Sequence, residues 1–101
     1  MHRIAVLTEQ ETRGAQMEEQ IARFCKEKGR FPRIEPYWNQ ESFFNAVLTA
    51  AFSHAVIALP GIAGLNAVEH LRALCPACRI IWCSDLDFSL HAFRLRVDYF
   101  L

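Results

Sequence analysis

Short apolar runs alternate with longer stretches of helical periodicity along this chain of 101 residues, and this alternation restricts its possible folds more than any other feature. The clearest runs are Ile4 to Leu7, His54 to Leu59 and Arg79 to Cys83. Such continuous runs are typical of parallel strands that are buried on both faces. Two further strands are predicted from Phe31 to Tyr37 and from Val97 to Leu101.

Four segments between these strands carry apolar residues at helical spacing, which predicts an amphipathic helix in each. The first extends from about Thr12 to Lys28, and Gly29 is its stop signal. Asn39 or Ser42 is placed to cap the second helix, and Pro76 ends the third. The apolar residues of the four helices are, in order, Met17, Ile21, Phe24 and Cys25; Phe43, Phe44, Val47, Leu48 and Ala51; Leu65, Val68, Leu71 and Leu74; and Phe88, Leu90 and Phe93.

This order of elements predicts one α/β domain, a doubly wound parallel sheet with helices on both faces. Pro32 and Pro36 cannot donate ladder hydrogen bonds, so the second strand is placed at a sheet edge. Functional groups of such sheets gather beyond the carboxyl ends of the strands. Here those ends are Leu7 to Gln10, Leu59 to Gly61, and Ser84 with Asp85.

The charge balance argues against binding nucleic acid or an anionic membrane by charge alone, because 11 basic and 11 acidic residues cancel. The apolar start is too short for a secretory signal peptide. The uncharged stretch from Phe43 to Val68 is interrupted by residues such as Asn45, Pro60 and Gly64, so no membrane span is predicted. The four cysteines are therefore expected to be reduced thiols in a cytoplasmic protein.

Four stretches of the sequence resemble the receiver domain of bacterial two-component response regulators, most closely those that precede a LytTR-type DNA-binding domain. They are Ile4 to Gln10, Pro60 to Leu65 (similar to a Pro-Gly-Met-x-Gly turn), Ile80 to Ser84, and Ala92 to Leu101. The resemblance implies a flavodoxin-like (CheY-like) fold of five parallel strands in the order 2-1-3-4-5. In receivers a Lys-Pro pair and a fifth helix follow, so the chain is expected to be a fragment of a longer regulator with one sheet face partly uncovered.

The phosphorylation site of receivers is not matched. Receivers accept phosphate on an aspartate at the end of the third strand, usually four residues before the proline. Counting back from Pro60 gives Val56, and a gapped alignment gives Ile57 or Ala58. No residue from Ser53 to Leu59 is Asp or Glu, so the resemblance implies a receiver without its nucleophile.

The acidic pair that holds Mg²⁺ in receivers falls on Thr8 and Glu9. A single carboxylate is a poor site for an ion that needs several oxygen ligands in octahedral geometry, so Mg²⁺ binding is expected to be weak or lost, and no other cofactor is predicted. Ser84 and Tyr99 match the phosphate-sensing hydroxyl and the switch aromatic. The pocket is thus expected to have the backbone arrangement of a receiver but to lack the groups for phosphoryl transfer. The chain is not expected to be an enzyme.

The resemblance implies a pseudo-receiver, a signalling module that dimerises and controls transcription without being phosphorylated. The usual dimer contact of receivers is the surface from the fourth helix to the fifth strand, where the candidate residues are Phe88, Phe93, Arg94 and Arg96. Core packing of the two phenylalanines and a plain surface position of the two arginines remain open. Contact with DNA is expected only through a C-terminal domain outside this chain, and no membrane contact is expected.

Two other functions fit parts of the sequence. A flavodoxin-like domain can bind a small molecule at its strand ends, although the segment Thr8 to Gly14 has acidic residues that would repel a flavin phosphate. The motif Cys75 to Cys78 has the spacing of a thiol redox site and, with Cys83 and His70, suggests zinc. The motif follows a helix rather than a strand, which favours a helix-ending turn.

Overall fold

Strands and helices alternate along the described chain, as the periodicity predicts. The computed structural model describes residues 3–9, 11–30, 32–50 and 52–100, and for 11–14 and 99 the backbone alone. The elements are β1 (Arg3–Thr8), α1 (Glu11–Glu27), β2 (Arg33–Tyr37), α2 (Gln40–Thr49), β3 (His54–Ala58), α3 (Gly61–Leu74), β4 (Arg79–Trp82), α4 (Ser89–Arg94) and β5 (Tyr99–Phe100). The last strand is shorter than predicted, and Phe88 precedes α4 instead of lying within it. None of the described helices is long and apolar enough to cross a membrane.

All five strands pair in parallel, in the order β2-β1-β3-β4-β5. This order confirms the predicted flavodoxin-like fold, with the proline-containing β2 at one edge. In register, Val6 lies opposite Val56 and Thr8 lies opposite Ala58. Because the strands are parallel, their carboxyl ends meet along one edge of the sheet.

The larger hydrophobic core lies between the sheet and the helices α2 and α3. Leu7, Ile57 and Trp82 project into it from three neighbouring strands and are almost completely buried. They belong to the same cluster as Phe43 and Leu71 of the two helices. Burying an aliphatic or aromatic side chain of this kind contributes roughly 1.5–3 kcal/mol, so this cluster supplies much of the stability of the fold.

Alternate residues of the same strands form a smaller core on the opposite face of the sheet. Ile4, Val6 and Val56 are buried there, and Ile21 of α1 packs against them. α1 packs mainly against β1 and β2. Ile81 of β4, on the same face, is only partly buried. The described helices therefore cover the two faces of the sheet unequally.

Local hydrogen bonds stabilise the end of α1 and the start of α2, at residues that the sequence predicts for these roles. Gly29 has a φ of 72°, in the left-handed region that glycine adopts without strain. The N–H of Arg30 donates to the carbonyl of Cys25 at 2.8 Å, which completes a Schellman motif. At the other helix, the side chain of Asn39 accepts a hydrogen bond from the N–H of Ser42 at 2.8 Å, so Asn39 is the cap.

A single guanidinium group joins two connections at the amino edge of the sheet. Arg72 donates to the backbone carbonyls of Leu95 at 2.8 Å, Arg96 at 3.0 Å, Pro76 at 2.9 Å and Cys78 at 2.7 Å. The planar fork of arginine can serve several acceptors at once. Through it, the connection from α4 to β5 is held against the connection from α3 to β4.

Candidate functional site

Three connections meet at the carboxyl edge of the sheet, directly after β1, β3 and β4. Thr8, the last residue of β1, is almost completely buried and lies opposite Ala58, the last residue of β3. Gly61 is the first residue of α3. Ser84 and Asp85 are the second and third residues after the end of β4. We call Thr8, Ala58, Gly61, Ser84 and Asp85 the strand-end site.

Of the three positions considered for the missing phosphoacceptor, Ala58 is the one at the strand-end site. Its partner on β1 is Thr8, whereas Val56 lies opposite Val6 in the middle of the sheet. Ile57 belongs to the larger core on the opposite face. All three candidates are buried. The methyl group of Ala58 offers no nucleophile, so an aspartyl phosphate cannot form there.

The turn from β3 into α3 requires glycine at two positions for different reasons. Only Leu59 and Pro60 separate the strand from the helix. Gly61 has a φ of 59°, which favours glycine. A Cβ atom on Gly64 would lie 2.6 Å from the carbonyl oxygen of Leu59 and 3.1 Å from Nε1 of Trp82. Gly64 therefore allows α3 to approach the end of the strand and the core beneath it.

A carboxylate from the connection between β4 and α4 reaches the N-terminus of α3. The backbone N–H of Gly61 donates to Oδ1 of Asp85 at 2.7 Å. Pro60, which precedes the helix, provides no side-chain cap, so Asp85 takes that role from another connection. A negative charge is favourable at a helix N-terminus. Sequence reasoning missed this contact because only the acid beside Ser84 hinted at it, and no local pattern joins the two connections.

The other polar side chains of the β4–α4 connection are engaged locally. Oγ of Ser84 accepts a hydrogen bond from the N–H of Leu86 at 3.1 Å, and Oδ1 of Asp87 accepts one from the N–H of Ser89 at 3.0 Å. Hydrogen bonding by Ser89 lowers the pKa of Asp87 below its ordinary value. Ser84 thus stabilises a turn. Tyr99 places its backbone in β5, and its side chain lies outside the described part of the structure.

The described residues of the strand-end site do not fit Mg²⁺. Glu9 is exposed, and the carboxylate of Asp85 already accepts the N–H of Gly61. Within residues 3–9, 11–30, 32–50 and 52–100, no group of three or more His, Cys, Asp or Glu side chains is arranged to hold a metal ion. Mg²⁺ needs near-octahedral oxygen ligands, usually with more than one carboxylate or phosphate group. Thr8 and Ala58 do not provide that donor set.

The four candidate interface residues divide between the core and the surface. Phe88 stacks on Trp82, with ring centroids 5.5 Å apart, and packs against the larger core. Phe93 is 82% exposed. Arg94 and Arg96 are exposed as well. Phe88 is therefore a packing residue, and only the other three are positioned to touch a partner.

One further apolar side chain of the β4–α4 connection and one of α4 also face solvent. Leu86, Leu90 and Phe93 are 51%, 62% and 82% exposed, and we call these three residues the α4 patch. Leu90 and Phe93 are three residues apart in α4 and so share a helix face. The sequence pattern did not single out Leu86, and it grouped Leu90 with Phe88 and Phe93 as the apolar residues of the helix, because a short helix has too few turns for its periodicity to define a face.

The Cys75 to Cys78 motif forms the turn after α3. Cys75 is the C-cap residue of the helix, and the N–H of Cys78 donates to the carbonyl of Cys75 at 3.2 Å. Burial, together with the neighbouring Cys75 thiol, raises the pKa of Cys78 to about 12. Reactive cysteines need a lowered pKa, because the thiolate is the nucleophile. This environment therefore opposes a thiol redox role for the motif.

The phosphate loop considered for a flavin after β1 is not supported by the described geometry. Gly14 lies within α1, so the segment after β1 is not a glycine-containing phosphate loop. A cavity of about 400 Å³ lies elsewhere, between α1 and the sheet, where Ile4 and His54 line it at the amino ends of β1 and β3.

Comparison with known proteins identifies the fold. No protein-family model and no curated protein matches the sequence. Among solved structures, the response regulator TrrA of Thermotoga maritima, in complex with Mg²⁺ and BeF, matches with a TM-score of 0.76 and 20% identity, over 100% of this chain and 85% of that one. The BeF3-activated receiver domain of DrrB matches with a TM-score of 0.75 and 22% identity, over 100% of this chain and 83% of that one. A CheY-like receiver domain protein from Methanospirillum hungatei matches with a TM-score of 0.73 and 19% identity, over 100% of this chain and 80% of that one.

These similarities extend over the whole chain. The chain has the flavodoxin-like fold of response regulator receiver domains. At sequence identities of 19%, 20% and 22%, the structural similarity shows the fold alone.

Proposed function

We propose that this domain is a pseudo-receiver, a cytoplasmic signalling module that works without phosphorylation and transmits its signal by association with a second copy. The observation that carries the proposal is the pairing of Thr8 with Ala58 at the carboxyl edge of the sheet. Phosphoryl transfer to a receiver needs an attacking carboxylate and a bound Mg²⁺ at this edge. Neither side chain supplies a carboxylate for these roles.

The contact between Asp85 and Gly61 supports independence from phosphorylation. The N-terminus of α3 is the group at the strand-end site most suited to an anion. Its first N–H already binds a carboxylate, at 2.7 Å. A phosphate group would have to displace this carboxylate and would be repelled by it. In the proposed function, the internal charge of Asp85 holds the β4–α4 connection in place of a charge added by a kinase.

The α4 patch supports output by association. Leu90 and Phe93 expose large apolar surfaces beside Arg94. Aromatic residues and arginine are enriched in protein interfaces, and exposed apolar patches often mark them. A two-fold dimer brings the same patch of each copy into contact, which would bury these side chains. The proposed dimer face is therefore α4 with the neighbouring β5 edge.

We further propose that the module belongs to a regulator of transcription. DrrB of Thermotoga maritima, an OmpR/PhoB homologue, matches with a TM-score of 0.73 and 19% identity, and the match covers 45% of that longer chain. By analogy, this domain would be the input module of such a regulator. Contact with DNA would then come from a further domain of the parent protein, because the charge of this domain is balanced.

Titration with Mg²⁺ and beryllofluoride, followed by amide NMR, tests phosphorylation independence. Beryllofluoride mimics a phosphoryl group on an aspartate and needs both the carboxylate and the ion. The amides of Thr8, Gly61 and Ser84 are expected to keep their chemical shifts. Saturable shifts at these amides in the unaltered chain would overturn the proposal.

The matched positive control is the double variant Thr8→Asp with Ala58→Asp. It places two carboxylates at paired strand ends, so saturable shifts at Gly61 are expected when both reagents are present. Both positions are buried, and the amide spectrum of the variant therefore has to show a folded domain first. A receiver domain with an intact acidic site serves as the second positive control.

A further inference from the structure

A small polar pocket lies at the amino edge of the sheet, between the end of α3, the start of β4 and the connection from α4 to β5. Its volume is about 170 Å³, below the roughly 300–1,000 Å³ of sites that enclose drug-sized ligands. Arg72, Arg79 and Arg96 line it, and Asp98 is the one acidic residue among its described lining. We call it the arginine pocket. Its size and its excess of positive charge favour a single small anionic group.

Arg72 presents a fixed positive charge to the arginine pocket. Four of its N–H groups donate to backbone carbonyls, at 2.7 to 3.0 Å. A guanidinium group has five N–H donors, so one on Nη2 remains for a ligand. The carbonyls carry no net charge, and in the described part of the chain no carboxylate pairs with this guanidinium. Because the side chain is already held in place, a bound anion would not have to order it.

The other two arginines of the pocket are exposed and have no acidic partner among the described residues. Arg79 is the first residue of β4, and Arg96 follows the C-cap residue of α4. Neither belongs to an ion pair formed by residues that the structure describes. The planar fork of an arginine matches the oxygens of a phosphate group in pairs. The pocket therefore offers one positioned and two adaptable guanidinium groups.

Arg96 has a backbone conformation that usually belongs to glycine. Its φ is 55°, and the N–H of Val97 donates to the carbonyl of Ala92 at 3.0 Å, which forms a Schellman motif after α4. The same motif after α1 has Gly29 at the corresponding position, with a φ of 72°. An arginine there costs backbone stability that a glycine would not. Such a cost is typical of residues whose side chains serve a functional site.

We propose that the arginine pocket binds a phosphate group, either as the free ion or as part of a small phosphate ester. A phosphate group carries nearly two negative charges at neutral pH, which balances three arginines and one aspartate. The arginines come from three separate segments, so they suit a tetrahedral group better than a planar carboxylate. The site goes beyond the proposed signalling function. Its lining includes no residue of α1, of the strand-end site or of the α4 patch.

Titration with inorganic phosphate and with phenyl phosphate, followed by amide NMR, tests the site. The ionic strength is held constant with chloride. Saturable shifts are expected at the amides of Ala77, Cys78 and Arg96, which belong to the pocket. The amide of Gly61, at the opposite edge of the sheet, is expected to stay unchanged. Tighter binding of phenyl phosphate would identify an ester as the ligand, and equal or weaker binding would identify the free ion.

The variant Arg96→Gly separates binding from folding. It is expected to weaken phosphate binding by about tenfold, the usual scale for loss of a hydrogen bond to a charged group. Its midpoint of urea unfolding is expected to be unchanged or higher, because glycine favours the positive φ. Arg79→Gln should weaken binding to a similar extent. The matched control is Arg33→Gln, an exposed arginine at the start of β2, outside the pocket, which should leave binding unchanged.

Asp98→Asn is expected to change phosphate binding in the opposite direction. Oδ2 of Asp98 accepts a hydrogen bond from the N–H of Ile80 at 2.8 Å. An asparagine keeps an oxygen for this contact and removes the negative charge that repels an anion in the pocket. Phosphate is therefore expected to bind severalfold more tightly to this variant than to the unaltered chain.

Three results would overturn the proposed phosphate site. One is the absence of saturable shifts at the pocket amides in the unaltered chain. Another is equal binding of succinate, a planar dicarboxylate, which would mean that the pocket recognises charge alone. The third is an equal loss of binding in Arg33→Gln and Arg79→Gln, which would place the anion outside the pocket. Each result would leave the proposed pseudo-receiver function unaffected, because the strand-end site is tested separately.

Discussion

Gly61 and Gly64 are needed for the path of the backbone from β3 into α3, whatever chemistry the site performs. Gly61 provides a φ of 59°, and Gly64 allows an approach that a Cβ atom would block at 2.6 Å from the carbonyl of Leu59. At the strand ends beside this turn, Thr8 lies opposite Ala58, and neither side chain is a carboxylate. The two glycines therefore serve the fold, whereas the proposed function depends on the strand ends.

Substitution Gly64→Ala is expected to lower the free energy of unfolding by about 1–3 kcal/mol, because overpacking against a backbone oxygen cannot be relieved by a side-chain rotation. Urea unfolding at equilibrium measures this change. The control is Gly29→Ala, where the new methyl meets open space and only the positive φ costs about 1 kcal/mol. A smaller loss for Gly64→Ala than for Gly29→Ala would contradict the close approach.

Substitution Asp85→Ala is expected to release the N–H of Gly61 and to lower the free energy of unfolding by about 0.5–2 kcal/mol, the usual effect of losing a helix cap. Amide hydrogen exchange should become faster at Gly61. Asp87→Ala is the matched control, because its carboxylate serves Ser89 instead. If both variants left exchange at Gly61 unchanged, Asp85 would not be the cap.

At the scale of elements, α4 is a short helix with different neighbours on its two sides. Ala92 is buried, and Phe88, just before the helix, stacks on Trp82. Leu90 and Phe93 face solvent. The side of α4 that carries Ala92 packs against the larger core. The side that carries Leu90 and Phe93 leaves apolar surface for a partner. The preceding connection is held to α3 by Asp85, so the strand-end site and the proposed dimer face are physically linked.

Substitution Phe93→Asp is expected to weaken self-association by about tenfold or more, since central aromatic residues dominate interface energies. Its effect on the stability of the monomer should stay within about 0.5 kcal/mol, because the side chain is exposed. Sedimentation velocity over a concentration series measures the association. The control is Phe24→Asp, the same change at an exposed phenylalanine on α1. An effect of Phe24→Asp alone would move the dimer face away from α4.

At the scale of the whole molecule, different interactions hold the connections at the amino ends and at the carboxyl ends of the strands. At the amino edge, Arg72 holds the chain between α4 and β5 through the carbonyls of Leu95 and Arg96. At the carboxyl edge, Asp85 holds α3. The segments on either side of α4 are therefore held by contacts at both ends of the sheet.

The buried thiol of Cys78 predicts a loss of stability in alkaline solution. Burial raises its pKa to about 12, whereas the unfolded chain ionises near the ordinary value of about 8.5. The folded state thus holds its proton more tightly, so stability is complete below pH ~8.5 and falls as the pH rises toward 12, by at most about 1.4 kcal/mol per unit.

Urea unfolding between pH 7 and pH 10 measures this alkaline loss. The variant Cys78→Ala should lose less stability over this range than the unaltered chain does. Part of the loss should remain, because burial also raises the pKa of Tyr37. Cys25→Ala, at a partly buried cysteine of α1, controls for removal of a thiol. A pH dependence that is the same with and without Cys78 would show that its thiol does not contribute.

Much of the candidate site could be predicted from the sequence, and the rest depended on long-range contacts. The lack of a carboxylate on β3 is visible directly, as are Ser84 and the turn from Pro60 onward. The division between Phe88 and Phe93 was not predictable, because a helix of six residues gives too little periodicity to define a face. The role of Asp85 was not predictable either, since its partner is 24 residues away.

Local sequence features already determine the order of strands and helices, the edge position of β2 and the absence of Asp and Glu from β3, because hydrophobic periodicity, proline chemistry and residue type act locally. The strand register, which is visible only in the folded chain, places Ala58 opposite Thr8, and neither Val56 nor Ile57 takes that position. The position of α1 over β1 and β2 is likewise visible only in the folded chain. Strand register and helix placement are set by packing between distant segments, and no local pattern encodes those distances.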